Sequence, residues 1–130
     1  MKLLVILLCP LIVFDVLTSG FGAQALLSDD APTWTKAMLW CIALAVVATS
    51  AARPTADKLL RLFWSVCVFW DFATTLAACS TFFVSRTVLD VDWSTIAHPA
   101  ARLPASIMTA IIVSGTPMIL GYILKRWNYY

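Results

Sequence analysis

The stretch LLRLFWSVCVFWDFATTLAACSTFFVS, residues 59–85, decides the fold class. Its 27 residues carry two charges, Arg61 and Asp71. A helix needs roughly 17 to 25 predominantly apolar residues to cross the hydrocarbon of a bilayer, so this segment is long enough to span one with some tilt. Working outward, three more runs of that kind appear at 3–19, 36–52 and 105–124. They are continuously apolar, whereas barrel strands alternate, and a barrel needs at least about eight strands. The sequence therefore predicts an all-α integral membrane protein: one membrane domain over 1–130, four transmembrane helices in a compact bundle, and an outer loop at 86–104. Gly20 and Gly22, Pro32, Arg53 and Pro54, and Pro99 and Pro104 mark the expected boundaries.

Composition agrees. The chain is 62% hydrophobic and 12% charged, against roughly 45–50% and about 25% in soluble domains. A net charge of +2, with Lys and Arg scattered over segment ends, gives no patch to track a phosphate backbone, so no nucleic-acid partner is expected.

Orientation follows from the cations that flank the segments. Lys2, Arg53, Lys58, Arg61, Lys125 and Arg126 fall on one side; Lys36, Arg86 and Arg102 fall on the other. The excess places both termini in the cytoplasm, in a cytoplasmic membrane. Lys125, Arg126, Trp127, Tyr129 and Tyr130 then form an interfacial anchor at the inner headgroups. A competing reading treats residues 1–25 as a secretory signal, with Lys2, an apolar core and Ala23-Gln24-Ala25 as its parts; Asp15 after the core counts against it.

Helical spacing suggests how the spans pack. Ala37, Cys41, Ala45 and Thr49 form an i+4 stripe of small residues on the second span, and Ser106, Ala110 and Ser114 form another on the fourth. Such stripes let helix backbones approach closely in lipid. On the third span Cys67, Asp71, Thr75 and Cys79 share a face, with aromatics around much of the remaining circumference.

Asp71 has a counterpart. Asp15 lies roughly 18 Å beyond Leu3, and Asp71 roughly 18 Å beyond Leu59, on the helical rise, so the two acids should sit at similar depth. Ser114, Thr116 and the carbonyl of Val113, which Pro117 cannot bond, fall near the same plane. A charged aspartate at that depth costs about 2.5–3.5 kcal/mol, and the nearest cation on the third span, Arg61, is ten residues away. Asp15, Asp71, Thr75, Ser114 and Thr116 are accordingly the candidate proton or ion site, where two facing carboxyl groups would share a proton. The structural alternative has the same groups joining helices through hydrogen bonds.

Size, span number and an acid in the first span are similar to those of small multidrug-resistance transporters. That analogy implies a substrate role for Asp15, with Trp40, Trp64 or Trp70 offering faces to a cation. Phe14-Asp15-Val16, the acid in the third span, the lack of glycines there and the loop 86–104 depart from that pattern, and the likeness assigns no family.

Enzyme chemistry has no footing in the sequence. Nucleophile-elbow, phosphate-loop, zinc-protease and dinucleotide motifs are missing. Four cysteines without a C-x-x-C pair and one histidine, His98, give no redox, haem or metal set, so no cofactor is expected. Asp90, Asp92 and His98 lack a ligand spacing. The outer loop is expected to lie along the membrane surface on Val88, Leu89, Val91, Trp93 and Ile96, open to an external partner. The leading expectation is a non-enzymatic structural or accessory subunit of a larger membrane complex. The alternative is a self-associating pore former, holin-like or otherwise, or a small proton- or cation-coupled transporter using Asp15 and Asp71.

Overall fold

A computed structural model describes residues 2–28, 30–52, 57–87 and 90–126. Four helices carry the fold: α1 (Lys2–Gln24), α2 (Thr33–Ala51), α3 (Lys58–Ser85) and α4 (Leu103–Arg126). Each is long and apolar enough to cross a membrane. No strand occurs among the described residues.

The helix ends follow from local chemistry. Asp57 caps α3 by accepting from the Leu59 amide at 2.9 Å, a standard way to satisfy a first-turn donor. Arg86 ends the same helix in the left-handed region, φ 60°. Pro104 lies in the first turn of α4, where no helical acceptor loses a partner.

One boundary differs from expectation. α1 runs through Gly20 and Gly22 to Gln24. Gly22 does not break the helix; it admits a neighbour. A Cβ there would sit 2.8 Å from the Thr74 carbonyl oxygen of α3. The Ala23-Gln24 pair is likewise part of the bundle: Ala23 is buried, and the Gln24 side chain accepts from the Trp40 indole of α2 at 2.9 Å.

Successive helices run in opposite directions. Trp40, early in α2, stacks edge-on against Phe21, late in α1, with centroids 4.9 Å apart. The start of α1 and the end of α4 therefore share one end of the bundle, the terminal end. The opposite, capped end is covered by residues 90–102.

Those residues do not spread sideways. They form two 3₁₀ turns, Trp93–Ala97 and Pro99–Ala101, tied down on the helices. The Trp93 indole donates to the Gly22 carbonyl at 2.8 Å, the Asp92 amide donates to the Thr81 hydroxyl at 3.0 Å, and Ser106 donates to the Ala101 carbonyl at 2.6 Å. Val91 is buried against Ala77 and Ala78, with Trp93 and Ile96 packed beside it. The expected surface-lying segment is thus a lid on the bundle, because its hydroxyl and indole groups find acceptors there. Val88 and Leu89 lie outside the described residues.

The interior is polar and the exterior apolar. Thr18, Thr74, Thr75, Thr81, Thr116, Asp15 and Asp71 are among the largest fully buried side chains, while Leu3, Leu59, Phe69 and Ile112 are more than half exposed. Soluble domains bury the aliphatic set. A polar core inside an apolar jacket suits a hydrocarbon solvent, in which unpaired polar groups must turn inward.

Candidate functional site

The site grows from one face on each of two helices. On α1, Asp15, Thr18, Ser19 and Gly22 fall at i, i+3, i+4 and i+7; on α3, Asp71, Thr74, Thr75 and Ala78 repeat that spacing, with Cys67 one turn before Asp71 on the same face. These rows face each other, and every residue named is buried. Gly22 against Thr74 sets how closely the backbones meet.

At the centre lie Asp15 and Asp71, each 0% exposed. Their hydrogen bonds cross the interface reciprocally. Ser19 of α1 donates to Asp71 Oδ1 at 2.5 Å, and Thr75 of α3 donates to Asp15 Oδ1 at 3.1 Å. Thr18 donates to the Asp15 carbonyl at 3.0 Å and lies 3.4 Å from the Thr75 hydroxyl. Thr74 turns back on its own helix, to the carbonyls of Trp70 and Asp71.

One oxygen of each acid is left over. Asp15 Oδ2 and Asp71 Oδ2 are buried and receive no bond from any N–H or hydroxyl among the described residues. The two carboxyl groups are brought together by reciprocal bonds: the donor to each acid sits one helical turn beyond the other acid.

Of the five residues expected at the site, Asp15, Asp71 and Thr75 come together. Ser114 and Thr116 are buried on α4, but their hydroxyls donate to the Ala110 and Ile112 carbonyls of their own helix, at 2.6 and 2.8 Å. A hydroxyl one turn above a helical carbonyl has that acceptor at hand, and near Pro117 it occupies the backbone locally. Ser19 was not singled out by sequence reasoning. Its signal was its place one helical turn beyond Asp15.

The two small-residue stripes part company. Ser106 and Ala110 are 0% exposed and pack inward. On α2, Ala37, Cys41 and Ala45 are exposed, and Thr49 is half-buried and donates to the Ala45 carbonyl. That helix instead buries Ala43, Val47 and Ser50. The stripe turns outward because Trp40 and Val47, larger and more apolar, take the inner face.

Elsewhere, Lys125 and Arg126 end α4, and Arg126 donates to the Tyr122 hydroxyl at 3.3 Å; Trp127, Tyr129 and Tyr130 lie outside the described residues. Asp92 accepts from the amide and hydroxyl of Ser94, and His98 accepts from the Ala100 amide. Both are spent on capping the 3₁₀ turns. Among the described residues no group of three or more His, Cys, Asp or Glu side chains could hold a metal ion.

Comparison with protein families, characterised proteins and solved structures finds no match to this chain.

Proposed function

We propose that this chain is a non-enzymatic protein of a cytoplasmic membrane, with both termini inside, whose paired aspartates bind and release a proton within the bundle in a small proton-coupled transporter or conducting oligomer. One observation carries this reading: two fully buried carboxyl groups on facing helices, tied across the interface by Ser19 and Thr75, each keep one oxygen without a hydrogen-bond partner among the described residues. Groups that serve only to join helices are normally satisfied throughout. An unsatisfied pair in a low-dielectric core calls for a positive charge, and the Lys and Arg residues lie toward the helix ends; Arg61 is roughly 15 Å from Asp71 along α3. A proton is the smallest charge that fits, and ionisable groups inside membranes commonly mark such paths.

The test is proton flux into liposomes containing the purified protein under an imposed pH gradient. Native protein is expected to conduct. Asp15→Asn and Asp71→Asn, which keep the hydrogen bonding but cannot ionise, are expected to abolish flux while preserving helix content. Absence of flux in the native protein, with Asn tolerated at both positions, would reduce the pair to a helix-joining role.

A second reading, an accessory subunit of a larger membrane complex, is favoured by the outward face of α2. Ala37, Cys41 and Ala45 there offer a second helix a close approach. Its test is copurification from native membranes: Ala37→Leu combined with Ala45→Leu should release a partner without altering proton flux.

A further inference from the structure

At the terminal end a cavity of about 340 Å³ lies between the ends of α2 and α4 and the first turns of α3. Ser50, Trp64, Gly121, Tyr122, Lys125 and Arg126 line it. No carboxylate is among its described lining residues. A second cavity of about 460 Å³ continues along α3 and α4 and shares Trp64 and Met118 with the first. Its walls include Phe69, Phe72, Ile111 and Gly115. A Cβ added at Gly115 would meet nothing within 4 Å, so the helix surface there is open space.

The two cavities differ in character. The first has two cations at its mouth; the second is bounded by aromatic and aliphatic side chains, apart from Ser65 and Ser114. A charged mouth that opens into an apolar groove, reaching toward the middle of the bundle, has the polarity of one phospholipid molecule. Trp64 stands at the junction, with its indole N–H buried and without an acceptor. A modest rotation of the ring would offer that donor to an ester oxygen.

We propose that this groove binds one anionic phospholipid, its phosphate held by Lys125 and Arg126 and an acyl chain lying along α3 and α4 past Gly115. Charge complementarity selects the occupant. Each Lys or Arg near a membrane surface contributes about fivefold to anionic-lipid affinity, and no acid is among the described residues that line the mouth. The site is separate from the aspartate pair, so it stands or falls independently of proton transfer.

Native mass spectrometry of the full chain, titrated with phosphatidylglycerol or phosphatidylcholine, provides the test. The native protein should retain phosphatidylglycerol in preference to phosphatidylcholine. Lys125→Gln with Arg126→Gln should reduce phosphatidylglycerol binding by about tenfold to thirtyfold and leave phosphatidylcholine unchanged. Gly115→Leu should fill the groove and weaken both lipids without lowering the melting temperature in detergent. If the double variant fails to fold, Gly115→Leu decides alone. Equal retention of both lipids by native protein would overturn the proposal, as would unchanged binding in Gly115→Leu. Displacement of phosphatidylglycerol by inorganic phosphate at equal concentration would assign the cations to a free anion and overturn it as well.

Discussion

Two of the helix crossings in this bundle lie toward opposite ends and are made by opposite means. Toward the capped end α1 meets α3 through acids and hydroxyls: Asp15, Thr18 and Ser19 against Asp71, Thr74 and Thr75. Toward the terminal end α2 meets α4 through small and apolar groups, with Gly121 against the backbone of Ala51 and with Val47 and Pro117 buried nearby. Each helix pair is loose where the other is tight. Among residues 2–14 of α1 only Leu8 is buried, none of 58–66 in α3 is, and none of 33–42 in α2 is. In hydrocarbon, apolar contact gives helices little reason to associate, so the crossings must be held by directional bonds or by very close backbone approach. This molecule uses one device at each end.

The sharpest way to break the comparison is to deny the second crossing its backbone contact. A side chain at Gly121 would run into the Ala51 carbonyl, which belongs to backbone and cannot swing away. Gly121→Val should cost about 3 kcal/mol, measured by thermal or denaturant unfolding in detergent. Six residues earlier in the same helix the sign reverses. Gly115→Ala meets no neighbour, so removing a helix-interior glycine should stabilise by about 0.5–1 kcal/mol.

The polar crossing should respond to chemistry instead of volume. Asp71→Leu takes away the acceptor of the Ser19 hydroxyl. A buried donor stranded in this way costs about 1–3 kcal/mol, and the same unfolding measurement should show a loss of about 2 kcal/mol. Asp71→Asn keeps an acceptor for Ser19 and should lose less than about 1 kcal/mol. Equal losses for Leu and Asn would mean that shape, not hydrogen bonding, joins α1 to α3.

How much of this was legible in the sequence differs between the two crossings. The four helices followed from apolar length alone, and the common depth of Asp15 and Asp71 followed from equal rise along two parallel spans. Thr75 came with them, because i+4 spacing puts it on the same face. The α2–α4 crossing was not legible: the stripe Ala37, Cys41, Ala45 and Thr49 has the composition for close approach, while the residues α2 buries within the bundle are Ala43, Val47 and Ser50. Small residues at i+4 say that close approach is possible on a face; they do not say which face is used when a helix has two. Ser114 and Thr116 lay at the right depth but found acceptors one turn back on α4. Depth can be counted from the sequence. Rotation about the helix axis depends on neighbours.

A weaker perturbation sharpens the polar side by loosening its lid. Trp93 reaches the Gly22 carbonyl at the residue where α1 closely approaches α3, and its ring lies 6.3 Å from that of Trp70. Trp93→Phe keeps an aromatic ring and removes the donor. It should cost about 1 kcal/mol and speed hydrogen exchange in residues 90–102 while leaving the α2–α4 crossing unchanged.

The smallest expected effect is a pH dependence confined to that lid. The Ser94 hydroxyl, and after it the Ser94 amide, hold the Asp92 carboxyl below the usual aspartate range. A carboxyl lowered in the folded state contributes stability that is complete above its unfolded value, about 3.9, and is lost as pH falls through the lowered folded value. Because Asp92 is exposed on the lid, water and salt screen the contribution, so the readout should be local. The Ser94 amide should stay protected from exchange at neutral pH and lose protection only in acid below the ordinary aspartate range. Asp92→Asn should keep the cap and abolish the pH dependence. The Asp92 amide is bonded to Thr81 through its backbone, so the lid's attachment to α3 should survive the titration that frees Ser94. Loss of both together would show that the carboxylate, and not the backbone, fastens the lid over the polar crossing.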